Sequence, residues 1–120
     1  MSGPSTRPGG AATASQGRSL FAELSEPFLE RPGVTAGTMF HSPGLRTGGK
    51  FFAFVDTEDG LVVKVPRDRA VELVRAGTAD VVTLGRRTLR EWVTLPCPAP
   101  GPADAWRDAL EEAYDYVASL

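Results

Sequence analysis

The sequence predicts an α+β domain: a five-stranded, mostly antiparallel sheet with helices packed on it, in the order α-β-β-β-α-β-β-α. Three observations predict it. Residues 50–56 (KFFAFVD) and 61–65 (LVVKV) are β-rich runs separated by the turn signal Asp59-Gly60, which reads as a hairpin. Residues 81–84 and 91–95 form a second pair of short apolar runs. Three other stretches carry apolar residues at helical spacing, so helices are interspersed with hairpins.

Taken in order, residues 1–17 are rich in Gly, Ser, Thr, Ala and Pro and carry one charged side chain, Arg7. They cannot bury enough apolar surface to offset their ordering entropy, so a disordered tail and spacer is expected, with a single domain over 18–120. Ser19 is an N-cap candidate, and Leu20, Leu24 and Phe28 follow at helical spacing with Phe21 beside them. Pro27 removes a backbone donor, which predicts a short helix to about Glu26 with a frayed turn after it. Residues 38–41 are a short strand, and residues 42–49, with one Pro and three Gly, are a loop. In the strand at 50–56, alternation puts Phe51, Ala53 and Val55 on one face and Phe52 and Phe54 on the other. Leu61, Val63 and Val65 share a face of its partner, with Lys64 opposite. Pro66 suits a first helical position, Ala70, Val71, Leu73 and Val74 form a stripe, and Gly77 suits a helix C-terminus. Residues 85–90 connect the last two strands, residues 96–102 form a proline-rich extended linker, and residues 103–120 form a final helix with Trp106, Leu110, Ala113 and Val117 inward.

A chain of 120 residues, 42% hydrophobic and 23% charged, suits one domain with its own core. Its net charge of −2 and pI near 5.4 weigh against a dedicated nucleic-acid binder. Cys97 stands alone, which excludes an intrachain disulfide and fits a reducing compartment. No apolar run is long enough to span a membrane and no secretory leader pattern opens the chain, so a cytoplasmic location is expected.

Catalytic patterns fail on context. Gly44 to Lys50 reads G-L-R-T-G-G-K, part of a phosphate-binding loop, but Phe51 stands where Ser or Thr should hold magnesium, and a strand follows instead of a helix. His41 is the only histidine, so the usual zinc ligand sets cannot be assembled. A Cys97–His41 dyad would need a lowered thiol pKa, and Cys97 sits between two prolines with no helix N-terminus at hand. Glu58/Asp59 and Glu111/Glu112 read as solvated charge, and no G-x-S-x-G elbow occurs. The sequence therefore predicts no enzyme, no metal and no cofactor.

Arg86, Arg87 and Arg90 are the one basic cluster. Between residues 34 and 96, nine Lys/Arg stand against seven Asp/Glu, while the final helix carries five carboxylates against Arg107 alone. Arginines on a strand connection can grip phosphates, although a charged hairpin tip is the commoner role. Trp92 and Trp106 are candidate stacking platforms, with core packing the better account of Trp106.

An ordered set of residues also resembles a known family: Gly33-Val34-Thr35, Met39-Phe40, Gly44-Leu45, Gly48-Gly49-Lys50, Phe52-Ala53, Leu61 to Val65, Gly85-Arg86, Arg90-Glu91-Trp92-Val93 and Leu95-Pro96. Together they resemble the TfoX N-terminal domain, including its small stand-alone bacterial versions, and the MmcQ/YjbR-like domains have a related look. The resemblance implies an α+β domain with a non-enzymatic regulatory or interaction role and supplies no catalytic residues. It places a protein-interaction domain with an unidentified protein partner first. Weak DNA or RNA binding through Arg86, Arg87 and Arg90 is the alternative, and an unrecognised enzyme comes last.

Overall fold

The computed structural model describes residues 9–39, 41–98 and 101–120, and over residues 9–15 the backbone alone. Helix α1 (Gly9–Leu29) precedes four strands: β1 (Val34–Met39), β2 (Ser42–Thr47), β3 (Lys50–Val55) and β4 (Leu61–Lys64). Then come α2 (Arg67–Arg75), β5 (Asp80–Leu84), β6 (Arg87–Leu95) and α3 (Asp104–Ala118). The strands form one six-stranded sheet, ordered β1-β2-β3-β4-β6-β5, with every described pairing antiparallel. The α+β class holds, with six strands in place of the expected five.

The added strand is β2, in the segment expected to be a loop. Gly48 and Gly49, at φ 60° and 84°, make a two-residue hairpin loop between Thr47 and its register partner Lys50, as a type I′ turn requires. Pro43 lies beyond the β2–β3 ladder, which starts at Gly44↔Phe54, so the strand has a neighbour on one side only there. Gly37 and Gly44 are register partners across β1 and β2, and a Cβ on either would come within about 3.1 Å of the Phe51 ring. The glycines that suggest a loop are where that ring lies against the sheet.

Helix α1 also departs from expectation at both ends. It starts at Gly9, so nine residues of the expected disordered tail are helical, while residues 1–8 lie outside the described residues. Ala11, Ala12 and Ala14 are strong helix formers, and extending a helix already nucleated by packing is cheap. Gly17 N–H donates to Asp59 Oδ2 at 3.1 Å, which ties α1 to the β3–β4 turn. Asp59 is therefore buried rather than solvated, at φ 68° in a turn whose hub is Asp56. Asp56 Oδ1 accepts from the Glu58 and Gly60 N–H groups, both at 2.8 Å, and Oδ2 accepts from Thr94 Oγ1 at 2.9 Å. At its other end α1 runs through Pro27 to Leu29. Pro27 costs that last turn the one hydrogen bond an N–H would make to Glu23 O, and burial of Phe28 holds the turn in place.

Strand β3 breaks the expected alternation. Leu45 pairs with Ala53 and Arg46 with Phe51, which leaves Phe52 as the extra residue of a β-bulge. Phe52, Ala53 and Val55 consequently all join the core, while Phe51 and Phe54 are half-buried outside it. Helix α2 ends in a Schellman motif: Gly77, at φ 77°, donates to Val74 O and Thr78 donates to Leu73 O. Pro66 is the cap residue rather than the first helical one, and Val71 faces solvent rather than the stripe. The expected inward residues of α3 are buried, with Ala109 added.

All three helices pack on one face. Phe21, Leu24 and Phe28 of α1, Ala70 and Leu73 of α2, and Trp106, Leu110 and Val117 of α3 share a cluster with Val63, Val93 and Leu95 of the sheet. Two bidentate pairs clamp the helices: Arg31 to Glu111 at 2.8 and 2.9 Å, and Arg69 to Glu112 at 2.8 and 3.1 Å. The Arg31 hydrogen bonds hold the Glu111 carboxyl below its ordinary pKa.

Candidate nucleic-acid interface

The basic cluster sits at the free end of the β5–β6 hairpin. Gly85 and Arg86 form a two-residue loop, with Gly85 at φ 63° and Leu84 paired to Arg87. The connection expected over residues 85–90 thus shrinks to two residues. Arg87 and Arg90 lie in β6 itself. All three arginines are exposed.

The geometry that presents Arg90 is a bow in β6. Val81 pairs with Val93 and Val82 with Leu89, so Arg90, Glu91 and Trp92 have no partner on β5. There β6 leans on β4 instead, through Lys64↔Trp92 and a 2.9 Å bond from Val65 N to Glu91 O. Two depressions meet at the bow. One, of about 530 Å³, lies among Lys64, Arg87, Leu89, Arg90 and Trp92. The other, of about 440 Å³, runs between α2 and β6, with Val71, Val74, Val81 and Leu89 inside and Arg67, Arg75 and Arg90 along it.

Sequence reasoning missed Arg67 and Arg75. Eight residues apart, they mark the two ends of α2, and nothing local says that α2 lies against the bowed strand. Among the described residues, Arg67, Arg75, Arg86, Arg87 and Arg90 make no ion pair and no side-chain hydrogen bond. Of the other arginines, Arg31, Arg69 and Arg107 are paired with carboxylates and Arg46 donates to Ala36 O, while Arg18, exposed on α1, is likewise without a partner among the described residues. Glu91, the carboxylate in the bow, is engaged by Lys64 at 3.9 Å and by the Tyr116 hydroxyl at 3.1 Å. Desolvation, then that hydrogen bond, raises the Tyr116 pKa above its ordinary value. The cations thus stand ready for an external anion, while the acid excess is carried by α3.

The other candidate groups are not brought together. The glycines of G-L-R-T-G-G-K fall in a strand and a hairpin loop, with Lys50 opening β3 and no helix N-terminus behind it. His41 is exposed on the β1–β2 turn, and Cys97 is half-buried against the core beyond β6. From β2 to β6 is three strand spacings, about 14 Å. Among the described residues, no group of three His, Cys, Asp or Glu side chains could hold a metal ion, and no helix is long and apolar enough to cross a membrane. Trp106 is fully buried, its indole N–H donating to Pro96 O at 2.9 Å, whereas Trp92 is half-buried.

No curated protein and no solved structure matches the chain. Residues 29–116, from the last turn of α1 to near the end of α3, match the YjbR family, one of the two families that the ordered residues resemble. That span covers the whole sheet and well over half of the sequence, and the chain belongs to the YjbR family.

Proposed function

We propose that this YjbR-family domain is a non-enzymatic nucleic-acid-binding module that grips the phosphate backbone through Arg86, Arg87 and Arg90, with Arg67 and Arg75 alongside. One observation carries the reading: Arg67, Arg75, Arg87 and Arg90 line the two depressions at the bow of β6, with Arg86 in the adjoining hairpin loop, all five exposed and without a partner among the described residues in a chain of net charge −2. Guanidinium groups free of internal carboxylates keep their full capacity for bidentate phosphate contacts. A basic patch overrides an acidic total because exposed charges more than about 10 Å apart are screened from one another at 0.1 M salt.

The test is a binding titration across salt concentrations. If the five arginines each meet a phosphate, affinity for a duplex falls by roughly 500-fold between 50 and 200 mM salt. Replacing Arg86, Arg87 and Arg90 together with alanine lowers the salt slope by about three and weakens binding at least about tenfold, whatever the base sequence. Unchanged affinity in the triple variant removes the assignment.

A second observation favours a protein partner at the same place. Val71 and Val81, 47% and 51% exposed, lie in the groove between α2 and β6. Exposed aliphatics in a depression suit an apolar contact better than a phosphate. Under that reading, Val71→Ser with Val81→Ser abolishes partner binding and leaves the salt-dependent interaction with nucleic acid intact.

A further inference from the structure

We propose that the nucleic acid bound is single-stranded, and that its bases stack on the face of the sheet opposite the helices, at Trp92 and Phe51. This inference rests on the nucleic-acid reading and adds the class of strand and the surface that receives the bases.

The aromatic residues of that face owe their position to the bulge. Because Phe52 is the extra residue, Phe51 and Phe54 both turn away from the helix-side core, and neither they nor Trp92 belongs to the cluster that the helices cover. Trp92 and Phe54 form a tilted pair with ring centroids 5.8 Å apart. Val62 lies between Phe54 and Thr94 in register and is only 2% exposed, although it too is outside the helix-side cluster. The aromatic residues therefore form a packed floor, with side chains fixed before any ligand arrives. Phe51 is held against the Gly37–Gly44 pair, where a Cβ would crowd its ring. Sheet-borne aromatic residues held in place before the ligand arrives are what sequence-tolerant base stacking requires.

Charge complementarity identifies the occupant. Lys64 Nζ lies 5.8 Å from the Trp92 ring centroid, and Arg46 Cζ lies 5.5 Å from that of Phe51. Exposed Lys50 adjoins Phe51 in the chain, and Arg87 and Arg90 share the depression that contains Trp92. Stacking surfaces interleaved with cations match a ligand that alternates flat bases with phosphates. Of the nearby carboxylates, Asp56 is engaged by Thr94 and two backbone N–H groups and Glu91 by Lys64 and Tyr116, while Asp80, in register with Thr94, is exposed at the β5 edge of the same face. A duplex keeps its bases stacked inside and can use the arginines alone. A single strand can use both surfaces.

The full-length chain offers a direct readout, because it has two tryptophans and Trp106 is 0% exposed. Tryptophan emission is followed during titration with oligothymidylate, and with a duplex of the same length, at low salt. The proposal expects the single strand to bind more tightly and to quench emission, with the quenching lost in Trp92→Phe while most affinity remains. Trp92→Leu and Phe51→Leu, each checked for folding by circular dichroism, weaken single-strand binding roughly tenfold to a hundredfold, and Phe51→Leu, away from the arginines, leaves duplex binding unchanged. Binding without quenching, or a preference for the duplex, overturns the stacking platform and leaves the phosphate-gripping reading in place. Binding of neither strand form overturns both.

Discussion

Replacing Phe52 with alanine is expected to remove about 3–5 kcal/mol of stability, a large part of what a domain of this size has. Phe52 is fully buried, with its ring 6.2 Å from Phe28 and 5.7 Å from Tyr114, centroid to centroid. Those two rings also meet at 6.1 Å, so three aromatic residues from α1, β3 and α3 close one junction. Arg31 covers the junction, its guanidinium carbon 4.3 Å from the Phe28 ring and 4.7 Å from that of Tyr114. Truncation opens a cavity where three elements meet, and the clamp above it cannot collapse inward without breaking its bonds to Glu111. Phe54→Ala is the control. On the other face and half-buried, it should cost less than half as much, about 1–2 kcal/mol. Urea denaturation of the two variants measures the difference. Equal losses would mean that the two rings share a face, as simple alternation requires, and that the bulge is absent.

The second large effect is expected at Trp106. Trp106→Ala should lose about 3–5 kcal/mol, because it deletes the largest fully buried side chain and leaves the Pro96 carbonyl without the indole donor. Trp106→Phe separates the two contributions. It keeps most of the packing and loses the hydrogen bond, so about 1–2 kcal/mol should go. The hydrogen bond joins the residue after β6 to the first turn of α3, so both variants should also loosen the proline-rich linker, read as faster amide exchange at Cys97 and Ala103. A Phe variant as damaging as the Ala variant would show that the hydrogen bond, rather than the ring volume, anchors α3.

Much of the fold was legible because its signals are local. The stripe of α3, the Gly77 stop after α2, the hairpin across Asp59-Gly60 and the existence of the last two strands follow from residue type and spacing, although the tight Gly85-Arg86 loop between those strands does not. What was not legible depends on contacts distant in sequence. Residues 42–47 carry a proline and a glycine that suggest a loop, and their strand role becomes clear only once Gly44 faces Gly37 beneath Phe51. The bulge at Phe52 leaves no mark in KFFAFVD, because aromatic residues on both faces are compatible with either register. The passage of α1 through Pro27 depends on the burial of Phe28, which a propensity reading cannot weigh, and the helical stretch before Ser19 extends a helix whose core residues all lie after it. At the site, Arg86, Arg87 and Arg90 were visible as a run, whereas Arg67 and Arg75 join them only because the strand order brings β6 between β4 and β5, with α2 against it.

The most direct test of the central claim is an amide chemical-shift titration of the labelled full-length chain with short single-stranded and duplex DNA at low salt. The account predicts perturbations concentrated at Arg67, Arg75 and the segment from Leu84 to Trp92, reversed by added salt. Perturbations centred on the acidic face of α3, or none with either DNA form, would contradict it.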